Sequence, residues 1–257
     1  MTFNTYHWWG CELGDADLES ARDELASGSG DVDAFLTLLR SENTAAVGTA
    51  LDHYHHAEAM RRHGLSNPFA EQEAEVLARA REILSRPPEP RAETGAEEEW
   101  ADHASALLAL QNLAVPEDSD LIASALQLAG TANAKDAAVS AAHAVLRRSP
   151  TPPWGLLDTL TAIVFDDSAP LDDRLGALKA FGDAEFKEAV DVLTRALGIA
   201  EFDLQAEAAL ALAGRHPVPH RDLVEMTVAA WPAVAPWPAD AVRDALRDDS
   251  QEQGDES

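Results

Sequence analysis

The sequence has 257 residues, 46% of them hydrophobic, which is enough apolar material to bury a substantial core and excludes a chain that is disordered throughout. Its 46 Asp and Glu residues outnumber 19 Lys and Arg residues, so the formal net charge of −27 disfavours binding to nucleic-acid phosphates or anionic lipid heads. No window holds the roughly 18 apolar residues of a membrane span, the start lacks a secretory signal, and Cys11 is the single cysteine, so we expect a cytoplasmic protein that makes no membrane contact.

The acidity of the chain has two interpretations. It keeps the protein soluble, and it also favours a basic protein as the partner. The basic side chains are nearly all arginine and the chain is rich in alanine, which is typical of a high-GC bacterium or a halophile.

The first feature along the chain is an aromatic segment containing Trp8 and Trp9. These two side chains are predicted to cover the open apolar end of a helical stack, and the alternative is that they anchor a partner. His7 and Cys11 lie four residues apart, a spacing that on a helix brings an imidazole to a thiol. The nearby sequence offers no third group to orient them, and two glycines disfavour the helix, so we predict no catalytic pair.

The N-terminal helical region, residues 1–85, begins with two short helices over 17–26 and 32–39 that form an irregular cap. Two longer helices follow, each with one apolar face. Their apolar faces are Ala46, Val47, Ala50, Leu51, Tyr54 and Ala57 for the first helix and Val76, Leu77, Ala80, Ile83 and Leu84 for the second.

The first of these two helices carries the densest group of histidines in the chain. His53 and His56 lie three residues apart on one helix face, but Glu58 and His63 do not share that face at ligand spacing. We therefore predict ordinary helix histidines and no metal ion. A pH-sensitive interface is the alternative.

Residues 86–97 form an acidic, proline-rich segment that is predicted to be an exposed loop or a short linker. Because of this segment, the apolar faces on either side of it are separated by about ten more residues of sequence than the apolar faces farther along the chain. A compact two-domain helical protein divided at this segment is the main alternative to a continuous row of repeats.

Residues 98–247 repeat one apolar stripe four times, and each stripe has the i, i+3, i+4, i+7 spacing of one buried helix face. Corresponding positions are separated by 35, 33 and then 34 residues. The stripes are Leu121, Ile122, Ala125, Leu126 and Ala129; Leu156, Leu157, Leu160, Thr161 and Val164; Ala189, Val190, Leu193, Thr194 and Leu197; and Leu223, Val224, Thr227, Val228 and Trp231.

A helix rich in small residues precedes each stripe, and a further helix of this kind is predicted at the C-terminal end of the repeats. Small side chains let helix axes approach closely, so each pair of helices forms one hairpin in a stack. The small-residue pairs are Ala106-Leu107, Ala141-Ala142, Ala177-Leu178, Ala208-Ala209 and Ala241-Val242.

The C-terminal part of the chain holds two further tryptophans and a polar tail. Trp231 continues the fourth stripe and is predicted to lie in the core, whereas Trp237 is less constrained and is predicted to pack on the final helix or to contact a partner. Residues 248–257 contain no apolar residue and are predicted to be a disordered acidic tail.

Two of the repeats carry a family resemblance. The segment DDRLGALKAFGD at 172–183, followed by FKEAVDVLTRALG at 186–198, resembles a HEAT repeat, and DLQAEAALALAG at 203–214 is similar to its first helix. The resemblance implies an all-α fold, an α-solenoid of stacked antiparallel helical hairpins. HEAT-like proteins are mostly scaffolds, adaptors and receptors, and the class has no general catalytic motif.

We therefore predict a non-enzymatic protein-binding scaffold or adaptor that uses a concave helical-repeat surface for a cationic partner, with an inhibitor-like or immunity-like role as a special case. No nucleophile elbow, phosphate loop, dinucleotide fingerprint or His-Glu-x-x-His motif is present, and no cofactor is predicted. The candidate partner-binding residues are Trp8, Trp9, His53, His56 and Trp237.

Two alternatives stay open. A minority of HEAT-like proteins are enzymes, such as the alkylpurine DNA glycosylases and the bilin lyases. The glycosylases bind DNA in a basic groove, whereas this chain is strongly acidic. The other alternative is a structural subunit of a larger assembly, and the oligomeric state is not predicted.

Overall fold

The structure is a computed structural model that describes residue 8 and residues 10–215, 217–234 and 237–252. Within these residues the chain forms fourteen α-helices and two short 3₁₀ turns and no β-strand, which confirms the prediction of an all-α fold. None of the described helices combines the length and the apolar character needed to cross a membrane. The chain divides into two compact units, Met1–Ala144 and Val145–Ser257, and each is described by itself.

The first unit contains seven complete helices and the larger part of an eighth. Aspartate or asparagine side chains begin the first three helices: Asp15, Asp31 and Asn43 each accept a hydrogen bond from a backbone N–H of the first turn. The helices are α1 (Ala16–Ala26), α2 (Val32–Leu39), α3 (Thr44–Arg61), α4 (Glu73–Leu84), α5 (Arg91–Thr94), α6 (Ala101–Leu113), α7 (Ser119–Leu128) and α8 (Ala132–Arg148).

Helices α3 and α6 form the centre of the first unit. They pack against each other, α2 also packs on α3, and α4 also packs on α6. Both helices are buried on several sides, because small or apolar residues surround much of each helix rather than one stripe of it. Ala46, Ala50, Leu51 and Tyr54 of α3 are all fully buried, as the sequence predicted for this helix.

The acidic segment 86–97 is mostly exposed, but it is also anchored to the first unit. It contains the short helix α5, and Ala96 is buried. The Glu89 N–H donates to Asp102 Oδ2 at 3.0 Å, and Thr44 Oγ1 donates to Glu89 Oε1 at 2.8 Å. These hydrogen bonds fasten the segment to α6 and α3, so it lies inside the first unit, and the two units divide instead within α8.

The second unit contains the end of α8 and six further helices. Helices that follow each other in the chain pack together in two pairs, α9 with α10 and α11 with α12. Helix α12 also packs against α10 and against α14. The helices are α9 (Trp154–Val164), α10 (Leu171–Lys179), α11 (Lys187–Ala196), α12 (Phe202–Arg215), α13 (Pro217–Ala229) and α14 (Ala239–Glu252).

The repeat pattern of the sequence coincides with these helices. The four apolar stripes lie on α7, α9, α11 and α13, except that the last stripe residues Ala129, Leu197 and Trp231 fall one or two positions past the helix ends. The small-residue segments lie on α6, α8, α10, α12 and α14. Close packing of small residues explains why the paired positions are buried, namely Ala106, Leu107, Ala141, Ala142, Ala177, Leu178, Ala208, Ala209 and Val242.

The final helix is longer than the sequence predicted. It extends to Glu252, so residues 248–252 are helical although they were predicted to begin the disordered tail. Once a helix is nucleated, each added residue gains a backbone hydrogen bond, so a polar end does not stop it. Residues 253–257 of the predicted tail lie outside the described residues.

Two threonines at equivalent stripe positions give a testable prediction of stability. Thr161 of α9 and Thr194 of α11 have buried hydroxyl groups without a hydrogen-bond partner among the described residues, and the equivalent position in α13 is Val228. Because an unmatched buried hydroxyl is destabilising, we expect Thr161→Val and Thr194→Val each to raise the free energy of unfolding by about 1 kcal/mol in chemical denaturation.

The matched control is Thr159→Val, because the Thr159 hydroxyl donates to the Gly155 carbonyl oxygen at 2.9 Å. This control removes a hydrogen bond, so we expect an unchanged or lower stability. Unchanged or lower stability in both test variants would mean that the two hydroxyl groups do have partners in solution.

Candidate functional site

Trp8 is part of the core and offers no surface to a partner. Its side chain is buried, and its indole N–H donates to the Ser105 hydroxyl of α6 at 2.9 Å. The ring also lies directly against Gly48 of α3. It therefore fills the space between the two central helices of the first unit, whereas Trp9 lies outside the described residues.

His53 and His56 both lie on α3 and are partly buried. Burial, and next the nearby His56, lower the pKa of His53 to about 4, so its imidazole is neutral at physiological pH. Burial also lowers the pKa of His55, whose Nδ1 lies 3.0 Å from the Leu108 carbonyl oxygen of α6. In the described part of the chain, no three His, Cys, Asp or Glu side chains are arranged to hold a metal ion.

Cys11 is buried, and burial raises the pKa of its thiol, with a smaller opposing effect of Arg22. A raised pKa keeps the thiol protonated, which is the opposite of what an activated nucleophile requires. His7, the other member of the pair considered from the sequence, lies outside the described residues.

Buried polar residues on α6 have a structural role that the sequence did not reveal. Asp102 is buried and accepts the backbone N–H groups of Glu89 and His103. His103 Nε2 lies 3.0 Å from the Arg86 carbonyl oxygen, and burial lowers the pKa of this histidine. The two side chains thus hold the segment 86–97 on the first unit, and their long-range partners give no local sequence signal.

The two C-terminal tryptophans have different environments. Trp231 is buried, donates from Nε1 to Gln205 Oε1 at 2.6 Å and packs edge-on against Phe202, as expected of a stripe residue. Trp237 is 69% exposed and lies just before α14. Of the candidate partner-binding residues within the described part of the chain, Trp237 alone presents most of its side chain to solvent.

Helix α13 exposes two apolar side chains that the sequence did not single out as binding residues. Leu223 was predicted to lie on the buried stripe and is 37% exposed, and Met226 is 72% exposed. The corresponding stripe residues in the two preceding stripe helices, Leu156 and Ala189, are fully buried. The pattern of one repeat therefore predicts the position of a side chain, but not whether a neighbour covers it.

Four basic side chains of helices α11, α13 and α14 form ion pairs within their own helices, whereas Arg195 of α11 lies over the ring of Phe165 at 4.2 Å. In each pair an acid lies three or four residues from the cation, so these cations do not create a positive patch. The pairs are Lys187–Asp191, Arg221–Glu225, Arg243–Asp240 and Arg247–Asp244. Further exposed acids on the second unit are Asp158, Asp172, Glu185, Glu201, Asp203 and Asp222.

No protein-family model matches the chain, and no curated protein matches it significantly.

Proposed function

We propose that the chain is a HEAT-like α-solenoid that acts as a scaffold or adaptor and binds a cationic protein without catalysing a reaction. Its place of action is the cytoplasm, where a single buried thiol such as Cys11 stays reduced. The partner is recognised by exposed apolar side chains surrounded by carboxylates, in the manner of an apolar interface centre with a charged rim.

The order of helix contacts supports a repeat architecture. In the second unit, a stripe helix packs on the following small-residue helix, and successive small-residue helices pack on each other. Stacking of this kind makes stability a sum of local terms and leaves an extended surface for a partner.

The distribution of charge carries the functional part of the proposal. Four cations of α11, α13 and α14 are paired with acids on the same helix, whereas further carboxylates of the second unit are exposed. A surface with this excess of carboxylates attracts a basic protein over long range and repels nucleic acid. The field raises the association rate more than it raises the final affinity.

We expect association with the partner to depend strongly on salt. The immobilised chain is used to capture binding proteins from its source cells at low and high salt, and each captured protein is then purified and its association rate is measured against ionic strength. We expect a basic protein whose association slows by about tenfold or more on going from low to high salt, because screening removes the steering field.

Duplex DNA of mixed sequence is the control in the same measurement, and we expect it not to bind. An acidic partner, an association rate that is indifferent to salt, or tight DNA binding would each contradict the proposal.

A further inference from the structure

The outer side of α13 carries a strip of apolar side chains. Leu223 and Met226 are three residues apart, which places them on one helix face. The exposed Ala230 follows one position past the helix end, and its N–H donates to the Thr227 carbonyl oxygen at 3.1 Å, so it continues the turn on that side. Val224 is buried and points to the other side, so α13 has an inner apolar face and an outer one.

The equivalent positions in α11 are covered. Ala189 and Val192 lie 34 residues before Leu223 and Met226 and are 0% and 4% exposed, compared with 37% and 72% for the α13 residues. The chain thus keeps apolar residues at positions that are buried one repeat earlier. Met226 is unbranched and adaptable, which suits a side chain that fills the surface of another helix.

One exposed carboxylate and two further exposed apolar groups lie close to the strip in the sequence. Asp222 is exposed and lies one turn before Met226 on the same side of α13. The connection to α14 adds Val234 and Trp237, which are 92% and 69% exposed. Exposed apolar groups concentrated in one element and its connection are typical of an interaction site.

The charge of the chain decides between possible occupants. A second copy would bring another net charge of −27 to a chain that itself carries −27, and the resulting repulsion opposes self-association. A helix with apolar residues on one side and lysines or arginines on the other would pack on the strip and place its cations beside Asp222. This is the pairing of an amphipathic helix with an apolar surface that recurs in peptide recognition.

We propose that the outer strip of α13, formed by Leu223, Met226 and Ala230, docks a cationic amphipathic helix of another protein. The inference rests on the proposed function, since it names the surface and the class of partner segment. It also adds a requirement that charge alone does not impose, namely that the partner's apolar residues lie on one helix face.

The test uses the full chain and a fluorescent peptide of about 18 residues, or five helical turns, made of leucine and lysine with the leucines on one face. A second peptide has the same composition in an order that places no two leucines on a common face. We expect the first peptide to bind at least about tenfold more tightly than the second, since only the first presents a continuous apolar surface.

The variant Leu223→Gln with Met226→Gln removes the apolar strip and retains good helix-forming residues. We expect it to weaken binding of the amphipathic peptide at least about tenfold. The matched control is Leu65→Gln with Leu128→Gln, which removes two other leucines that are each 55% exposed, and we expect it to leave the affinity unchanged. Circular dichroism establishes that all the proteins keep their helical content.

The outcomes separate this inference from the proposed function. If the amphipathic peptide binds the α13 double variant as tightly as the unchanged chain, or if both peptides bind equally, the docking site is wrong while recognition of cationic proteins stands. If neither peptide binds at low salt, the docking site is wrong, whereas recognition of a cationic protein is decided by the salt dependence of the captured partner. Loss of binding in the control as well as in the α13 variant would also overturn the assignment to α13.

Discussion

Replacing Gly48 by alanine is expected to lower the free energy of unfolding by about 3 kcal/mol, because the central helix α3 has no room for a methyl group at this position. A Cβ on Gly48 would overlap the indole ring of Trp8, with Cζ2 at only 2.5 Å and two other ring atoms closer still. The indole ring cannot shift easily, because its N–H donates a hydrogen bond to the hydroxyl of Ser105, a fully buried residue of α6. Either the ring or the helix pair must move.

Gly214→Ala is the matched control for this prediction. Gly214 is also a helix residue, in α12, but it is exposed and a Cβ there meets nothing within 4 Å. At an exposed helix position, replacing glycine by alanine raises the free energy of unfolding by up to about 1 kcal/mol. The same substitution is therefore expected to change stability in opposite directions at the two positions, as measured by chemical denaturation followed by circular dichroism.

A double-mutant cycle with Trp8→Ala identifies the cause. If Trp8 is the obstacle, the effect of Gly48→Ala becomes small once the indole has been removed. An effect of Gly48→Ala that is equally large with and without Trp8 would show that the indole does not lie on α3. If Gly48→Ala alone changes the free energy of unfolding by less than about 0.5 kcal/mol, the prediction is contradicted directly.

The second large effect is expected from Arg81→Leu, which removes the partner of a buried carboxylate. Arg81 of α4 donates from Nε to Asp118 Oδ1 at 2.6 Å and from Nη2 to Oδ2 at 3.2 Å. The Asp118 side chain is only 2% exposed, so the variant leaves a buried charge with the Val115 N–H as its remaining described donor. We expect a loss of about 3 kcal/mol in the free energy of unfolding.

Arg40→Leu supplies the matched control for the ion pair. Arg40 also forms a bidentate ion pair, donating from Nε to Glu75 Oε1 at 2.6 Å and from Nη2 to Glu75 Oε2 at 2.9 Å. Both side chains of this pair are exposed, at 60% and 36%, so water replaces the lost contact. We therefore expect the free energy of unfolding to fall by less than about 1 kcal/mol. Equal losses in the two variants would contradict the burial argument.

Local apolar periodicity was enough to predict which segments become helices in the repeated half of the chain. An apolar residue at every third or fourth position requires a helix that buries one face, and the stripes found in this way lie on α7, α9, α11 and α13. Pairs of small residues likewise predicted the buried positions of α8 and α12, such as Ala141 and Ala208. These predictions succeed because the physical signal lies within one helix.

The tertiary structure decided every feature that depends on a distant partner. Trp8 contacts Gly48 and Ser105, and no pattern near Trp8 encodes either neighbour. The segment 86–97 has the composition of an exposed loop, yet the carboxylate of Asp102 and the hydroxyl of Thr44 hold it against the first unit. Its hydrogen-bond partners lie beyond its own sequence, so composition alone did not reveal that the segment is anchored.

The exposure of Leu223 and Met226 illustrates the same limit at the candidate binding surface. Their spacing resembles that of the buried residues Ala189 and Val192, so the sequence describes both helices alike. Periodicity records which side chains share a helix face, whereas exposure depends on whether another element lies against that face. The sequence therefore determined the helices and their apolar faces, and the packing of the folded chain decided which of those faces stays open.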